Sequence, residues 1–184
     1  AIVAAMFFAG ITGSAVADTT AIGSALVPLM NKRGFPKLFS ASVVAAAGVV
    51  GPIIPPSIPM VIYGVMAGVS VGALFMGGFI PGFLMGLGLM FVAYVKAKRN
   101  GYPRETVRPT RKEFFQATVS AMGAIFMPLI ILGGIFGGVF TATEAAVVAT
   151  IYAFIMGMFV YKELEWRHLP NIMYKGGLST AMVL

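Results

Sequence analysis

The sequence predicts an all-α polytopic membrane protein that contains a re-entrant helical hairpin and broken transmembrane helices. Three observations carry this. Of 184 residues, 59% are hydrophobic and only 10% charged, where a soluble domain is about one quarter charged. Residues 38–94 hold no charged side chain, a run that reads as lipid-embedded. Near its middle stands Gly51-Pro52-Ile53-Ile54-Pro55-Pro56-Ser57-Ile58-Pro59, with four prolines in eight positions. Proline lacks an amide hydrogen and clashes with the preceding turn, so no helix runs through this segment. Non-helical backbone at membrane depth is tolerated only where protein buries it or a watery cavity receives it.

The same composition excludes several classes. The net charge of +7 sits in short loops between apolar spans, the positive-inside pattern. There is no exposed basic domain with interleaved aromatics, so nucleic acid is not an expected partner. Cysteine is absent and His168 is the one histidine, which removes disulfides and thiolate or histidine metal sites. No nucleophile–base pair or phosphate loop is present, and an enzyme is not expected. No cofactor is implied by the methionines, which read as apolar filling.

The elements follow in order. Residues 1–12 are apolar but too short to span. Gly13-Ser14-Ala15-Val16-Ala17-Asp18-Thr19-Thr20 is small and polar, residues 21–30 are apolar and short again, and Asn31, Lys32, Arg33 and Lys37 mark an aqueous boundary. Two half-length helices that return to a basic loop describe a re-entrant hairpin over residues 1–31. A buried Asp at the turn and Gly13 before it fit a reversal better than the alternative, one long kinked helix. Residues 38–67 form a helix broken at the prolines. Gly68-Val69-Ser70 is a turn, and 71–95 is a full span with Pro81 as a kink. Residues 96–113 form a basic loop. Residues 114–139 span again, Thr141-Ala142-Thr143-Glu144 interrupts, 145–161 returns, and a further segment begins at Pro170. Gly133-Gly134 and Gly137-Gly138 are expected at close helix contacts.

Placing 96–113 in the cytoplasm puts Lys32 and Lys37, and also Lys162 and Arg167, on the same side, so three basic boundaries agree. The absence of an initiator Met and the apolar end at Leu184 predict a fragment of a longer protein, a processed or trimmed subunit being the alternative.

Asp18 and Glu144 are the acids within apolar surroundings, where an ionisable group points to function. Ser14, Asp18, Thr19 and Thr20 supply oxygens of the kind hard cations take. Asp18 as N-cap of the returning half-helix is the competing reading, and the two are compatible. Carbonyls freed near Val50, Gly51, Pro52 and Ile53 can face a cation such as sodium. Ser57 is a candidate N-cap of the second half-helix, and the amides after Pro56 can face an anionic group. The competing reading here is a proline-kinked structural helix. Thr141 and Glu144, ahead of an apolar run, match a capping box and are assigned a structural role. A hairpin and an unwound helix in tandem resemble one half of a transporter built from inverted repeats.

At these residues the chain resembles the large membrane subunit of the tripartite ATP-independent periplasmic transporters. The matching stretches begin with Gly13-Ser14-Ala15-Val16-Ala17-Asp18-Thr19-Thr20-Ala21-Ile22-Gly23 and Lys32-Arg33-Gly34-Phe35. They continue with the proline segment 51–59 and with Gly133-Gly134-Ile135-Phe136-Gly137-Gly138-Val139-Phe140-Thr141-Ala142-Thr143-Glu144-Ala145-Ala146. Family members often carry Pro where Ala142 stands. The resemblance implies a sodium-coupled importer of organic acid anions such as C4-dicarboxylates or sialic acid, in a bacterial or archaeal cytoplasmic membrane. It implies a soluble periplasmic binding protein, a small four-helix membrane subunit and an elevator mechanism. Residues 1–95 then belong to a first-repeat transport domain and 114–184 to the scaffold-like start of a second repeat. Sodium would lie between Ser14, Asp18 and Thr19 and the carbonyls of Gly51, Pro52 and Ile53. A substrate carboxylate would meet Ser14, Ser57 and Ile58. A channel or a purely structural membrane subunit is the alternative of a different class.

Overall fold

The computed structural model describes residues 1–103 and 110–183. Every regular element among them is helical: α1 (Ile2–Thr12), α2 (Ala15–Lys32), α3 (Lys37–Gly48), α4 (Ile58–Ala67), α5 (Val71–Arg99), α6 (Arg111–Phe136), α7 (Ala142–Ile155) and α8 (Leu169–Val183). A π-helical turn, Met156–Val160, extends α7, and a 3₁₀ turn, Trp166–His168, precedes α8. The chain is an all-α membrane protein in which α5, α6 and α7 with its π turn are long and apolar enough to cross a bilayer.

α1 is 11 residues long, about 16 Å at 1.5 Å per residue, or half a hydrocarbon core. It stops because Gly13 turns left-handed at φ +60° and returns its amide to the Ala9 carbonyl at 2.9 Å. Ser14 then adopts an extended conformation, and its hydroxyl accepts from the Ala17 amide at 3.4 Å. With that cap in place α2 starts at Ala15, earlier than the apolar run 21–30 indicates. The small polar residues form its first turns. Asp18 is therefore not the N-cap; Ser14 is. α1 folds back along α2, so that Ile2 and Ala5 share one apolar cluster with Ile22 of α2 and with Val44 and Ala47 of α3.

α3 ends at Gly48, and no α-helix resumes until Ile58. The interruption contains the cis peptide Pro55–Pro56. Ser57 caps α4, its hydroxyl accepting from the Met60 amide at 3.4 Å, and Pro59 occupies the first turn, where its missing amide costs nothing. α4 closes after 10 residues at Gly68, also left-handed, and Ser70 caps α5. α5 brings three buried glycines at four-residue spacing, Gly78, Gly82 and Gly86, against this region. A Cβ at Gly78 would stand 2.5 Å from the Ile53 carbonyl, one at Gly82 2.7 Å from the Ile54 side chain, and Gly86 has Met6 against it. That glycine stripe lets the broken segment lie on α5.

The pairs expected to make close helix contacts behave differently. A Cβ at Gly133 or Gly138 would meet nothing within 4 Å, and Gly134 packs on the ring of Phe140 in the turn that follows α6. Gly138, at φ +69°, serves the reversal into α7. There Glu144 Oε2 accepts from the Thr141 amide and hydroxyl, both at 2.8 Å, while Thr141 Oγ1 accepts from the Glu144 amide at 3.3 Å. That is a capping box. A second one, Thr110 with Glu113, opens α6 and escaped the sequence reading.

The basic end of α2 and the basic end of α5 meet at one end of the molecule. Phe35, Phe39 and Tyr102 form a ring cluster, Phe39 and Tyr102 with centroids 4.8 Å apart, which joins the α2–α3 turn to the chain after α5. The Tyr161 hydroxyl donates to the Ser120 carbonyl at 2.9 Å and ties the end of α7 to the start of α6. Of the basic loop 96–113, Arg104, Glu105 and Arg108 lie outside the described residues.

Candidate functional site

The tip of the α1–α2 hairpin sits on the interrupted segment between α3 and α4. Four contacts build the junction. The Ile58 amide donates to the Gly13 carbonyl at 3.3 Å. Gly13 lies so close that a Cβ there would be 2.6 Å from the Pro56 carbonyl. One turn further along α2, Asp18 and Thr19 press on the end of α3: Asp18 Oδ2 occupies the space a Cβ of Gly51 would need, and Thr19 Oγ1 that of Gly48. Glycine at 48 and 51 is thus required by the approach of two side chains, not by a turn.

Asp18 is 1% exposed. Its Oδ1 accepts from the Thr12 hydroxyl, and its Oδ2 has no hydrogen-bond partner among the described residues. Thr12 Oγ1 also accepts from the Ser14 amide at 3.3 Å, so one hydroxyl links the end of α1, the cap of α2 and the carboxylate. A buried carboxylate oxygen left unpaired carries a large desolvation cost. The deficit sets this corner apart from the rest of the hairpin tip.

The other predicted residues distribute themselves around this corner. Thr20 points outward, its hydroxyl donating to the Val16 carbonyl at 2.7 Å, and does not join the cluster. Ser57 is buried, and its hydroxyl donates to the Pro52 carbonyl at 2.6 Å. The Ile53 carbonyl is turned toward Gly78 of α5. The Ile58 amide, expected to face an anion, already donates to Gly13, Pro59 has none, and the Met60 amide is held by Ser57. At the mouth, Ser14, Ala15, Pro52, Ile58, Tyr63 and Thr180 are among the residues lining an open cavity of about 840 Å³. Ser14 and Ile58 therefore face one space, with the first amides of α2 beside it. Thr12 is the residue that sequence reasoning missed. Its signal was weak: a hydroxyl at the end of an apolar half-helix, six positions before Asp18.

Half-helices that meet tip to break around a buried acid characterise membrane permeases that move solutes, and the comparison with known proteins decides among them. The family described as "Tripartite ATP-independent periplasmic transporter, DctM component" matches residues 1–184. The chain belongs to that family.

Its TRAP relatives are named as permeases and not as enzymes. The chain is 46% identical over 179 residues to the isethionate TRAP transporter permease protein DctMQ of Oleidesulfovibrio alaskensis, which covers 97% of this chain and 28% of that protein. It is 40% identical over 183 residues to the 2,3-diketo-L-gulonate TRAP transporter large permease protein YiaN of Escherichia coli, covering 100% of this chain and 43% of that protein. It is 42% identical over 180 residues to the sialic acid TRAP transporter permease protein SiaT of Haemophilus influenzae, covering 98% of this chain and 29% of that protein. The chain thus spans less than half the length of these TRAP relatives.

Proposed function

We propose that this chain forms the first-repeat part and the scaffold-like start of the second repeat of a TRAP large permease that couples sodium entry to the uptake of an organic acid anion across the cytoplasmic membrane. A soluble extracytoplasmic binding protein delivers the anion, and a small membrane subunit, separate or fused, flanks the permease. Residues 1–95 belong to the moving transport domain and 114–184 to the scaffold against which it slides. The observation that carries the reading is the unpartnered Oδ2 of Asp18, buried against the backbone of Gly51. Sodium takes several oxygen ligands, as other hard cations do. Asp18 supplies a charged one, and Thr19, Ser14 and the carbonyls at Gly51 and Pro52 are the candidates for the rest. The anion lies in the adjoining cavity, where Ser14 and the first amides of α2 meet its carboxylate.

The relatives' named solutes, isethionate, 2,3-diketo-L-gulonate and sialic acid, are all small and acidic. That range fits a cavity that recognises negative charge and leaves finer selection to a delivering protein. The test is uptake by the full-length permease with its partners in proteoliposomes. Asp18→Asn removes one charged ligand, and the half-saturating sodium concentration is expected to rise by about tenfold, as loss of about 1.4 kcal/mol of binding dictates. An unchanged sodium response removes Asp18 from the ion site. Uptake that neither saturates nor follows the sodium gradient favours a channel instead.

A further inference from the structure

A second feature lies at the basic end, away from the hairpin tip. α3 and α5 diverge there around a cleft of about 400 Å³, lined by apolar side chains such as Ile2, Leu38, Val43 and Leu89, with Lys96 and Tyr102 at its polar edge. A second cleft, of about 390 Å³, opens on the neighbouring face of α5 and shares Val92 and Lys96 with the first. Arg99 and Asn100 line its upper edge. Lys96 and Arg99 are three residues apart on one helix, hence on one face. Among the described residues, neither cleft has an acidic residue in its lining.

We propose that these two clefts form one binding site for an acidic glycerophospholipid. The charge pattern selects the occupant. An apolar trough along the helices accepts acyl chains. Two cations with no carboxylate among the described lining residues call for an anion at the trough's end, and a phosphodiester headgroup supplies it at the depth where Lys96 and Arg99 reach water. Tyr102 suits the same boundary, with an apolar ring and a polar tip. A zwitterionic lipid would bring a choline or ethanolamine cation toward the two basic side chains. The basic helix ends gathered here are also where an anionic leaflet surface would lie under the positive-inside rule. The lipid would bridge α3 and α5, next to the Phe35–Phe39–Tyr102 cluster. It would brace the end of the molecule opposite the hairpin tip, and nothing in this proposal depends on the ion site.

The test uses the full-length permease in mild detergent, offered equal amounts of phosphatidylglycerol and phosphatidylcholine and weighed by native mass spectrometry. Selective retention of phosphatidylglycerol is expected. The double variant Lys96→Gln with Arg99→Gln should lower it by about tenfold or more, two cationic contacts near the headgroup being lost. Lys98→Gln, outside both clefts, should leave it unchanged. A phosphatidylglycerol with a photoreactive acyl chain should label α3 or α5 of the unmutated protein, a readout that does not depend on how a variant folds. Equal retention of both lipids, a double variant that binds as well as the parent, or a Lys98→Gln loss as large as the double variant's would overturn the proposal. So would a cysteine at Ala46 that crosslinks to another protein segment, since a polypeptide would then fill the trough.

Discussion

At the scale of single residues, the decisive contacts are those where backbone makes room for a side chain. Gly51 has the carboxylate of Asp18 where its Cβ would be. Gly51→Ala must therefore push Asp18 off the α3 end, and overpacking of this kind costs about 1–3 kcal/mol. A loss of sodium-driven uptake larger than the loss of folded protein is expected, measured as transport per correctly inserted molecule. Gly13→Ala is harsher, because it adds a left-handed φ of +60° to a 2.6 Å approach to the Pro56 carbonyl. It should reduce the yield of folded protein, read by thermal unfolding in detergent. Asp18 and Gly51 were both visible in the bare sequence, the one as a charge in an apolar stretch, the other as the start of a proline cluster. Their contact was not, because nothing in residue spacing says which half-helix meets which break. Thr12 stayed hidden for a related reason: a hydroxyl at a helix end is ordinary until the chain reverses and aims it at Asp18.

At the scale of elements, termini explain most of what the chain does. Left-handed glycines stop α1 and α4, and serine or threonine caps open α2, α4, α5 and α7. The proline and glycine signals for these ends can be read directly. The start of α2 cannot, because its first turns lack the apolar periodicity that announces a helix and depend on the Ser14 cap. The α5 glycines, with their period of four, had a pattern in plain sight, yet a glycine-rich span looks like any other until its partner is known. The Thr141–Glu144 cap opens α7, after the turn that ends α6. Thr141→Ala should cost about 0.5–2 kcal/mol of stability and leave the sodium dependence of uptake unaltered. A changed sodium response in a normally folded variant would move Glu144 into the transport machinery.

At the scale of the whole molecule, sidedness is an expectation that rests on pattern, since it needs only the sign of the charges and the lengths between them. The ring cluster of Phe35, Phe39 and Tyr102 holds two of the basic boundaries, the α2–α3 turn and the end of α5, side by side. Ser70, at the far end of α5, should therefore react from outside the cell when replaced by cysteine, and Arg99→Cys should not. The reverse labelling pattern in intact cells would invert the assignment. The seam between the hairpin tip and α4 has a consequence of its own. One peptide bond's hydrogen, on Ile58, bolts it to Gly13 across 3.3 Å. Such a bond contributes on the order of 1 kcal/mol net, so the seam leans as much on the packing of Gly13 against Pro56 as on the bolt. A guest with even a modest grip on both lips would outweigh it and hold the doorway closed.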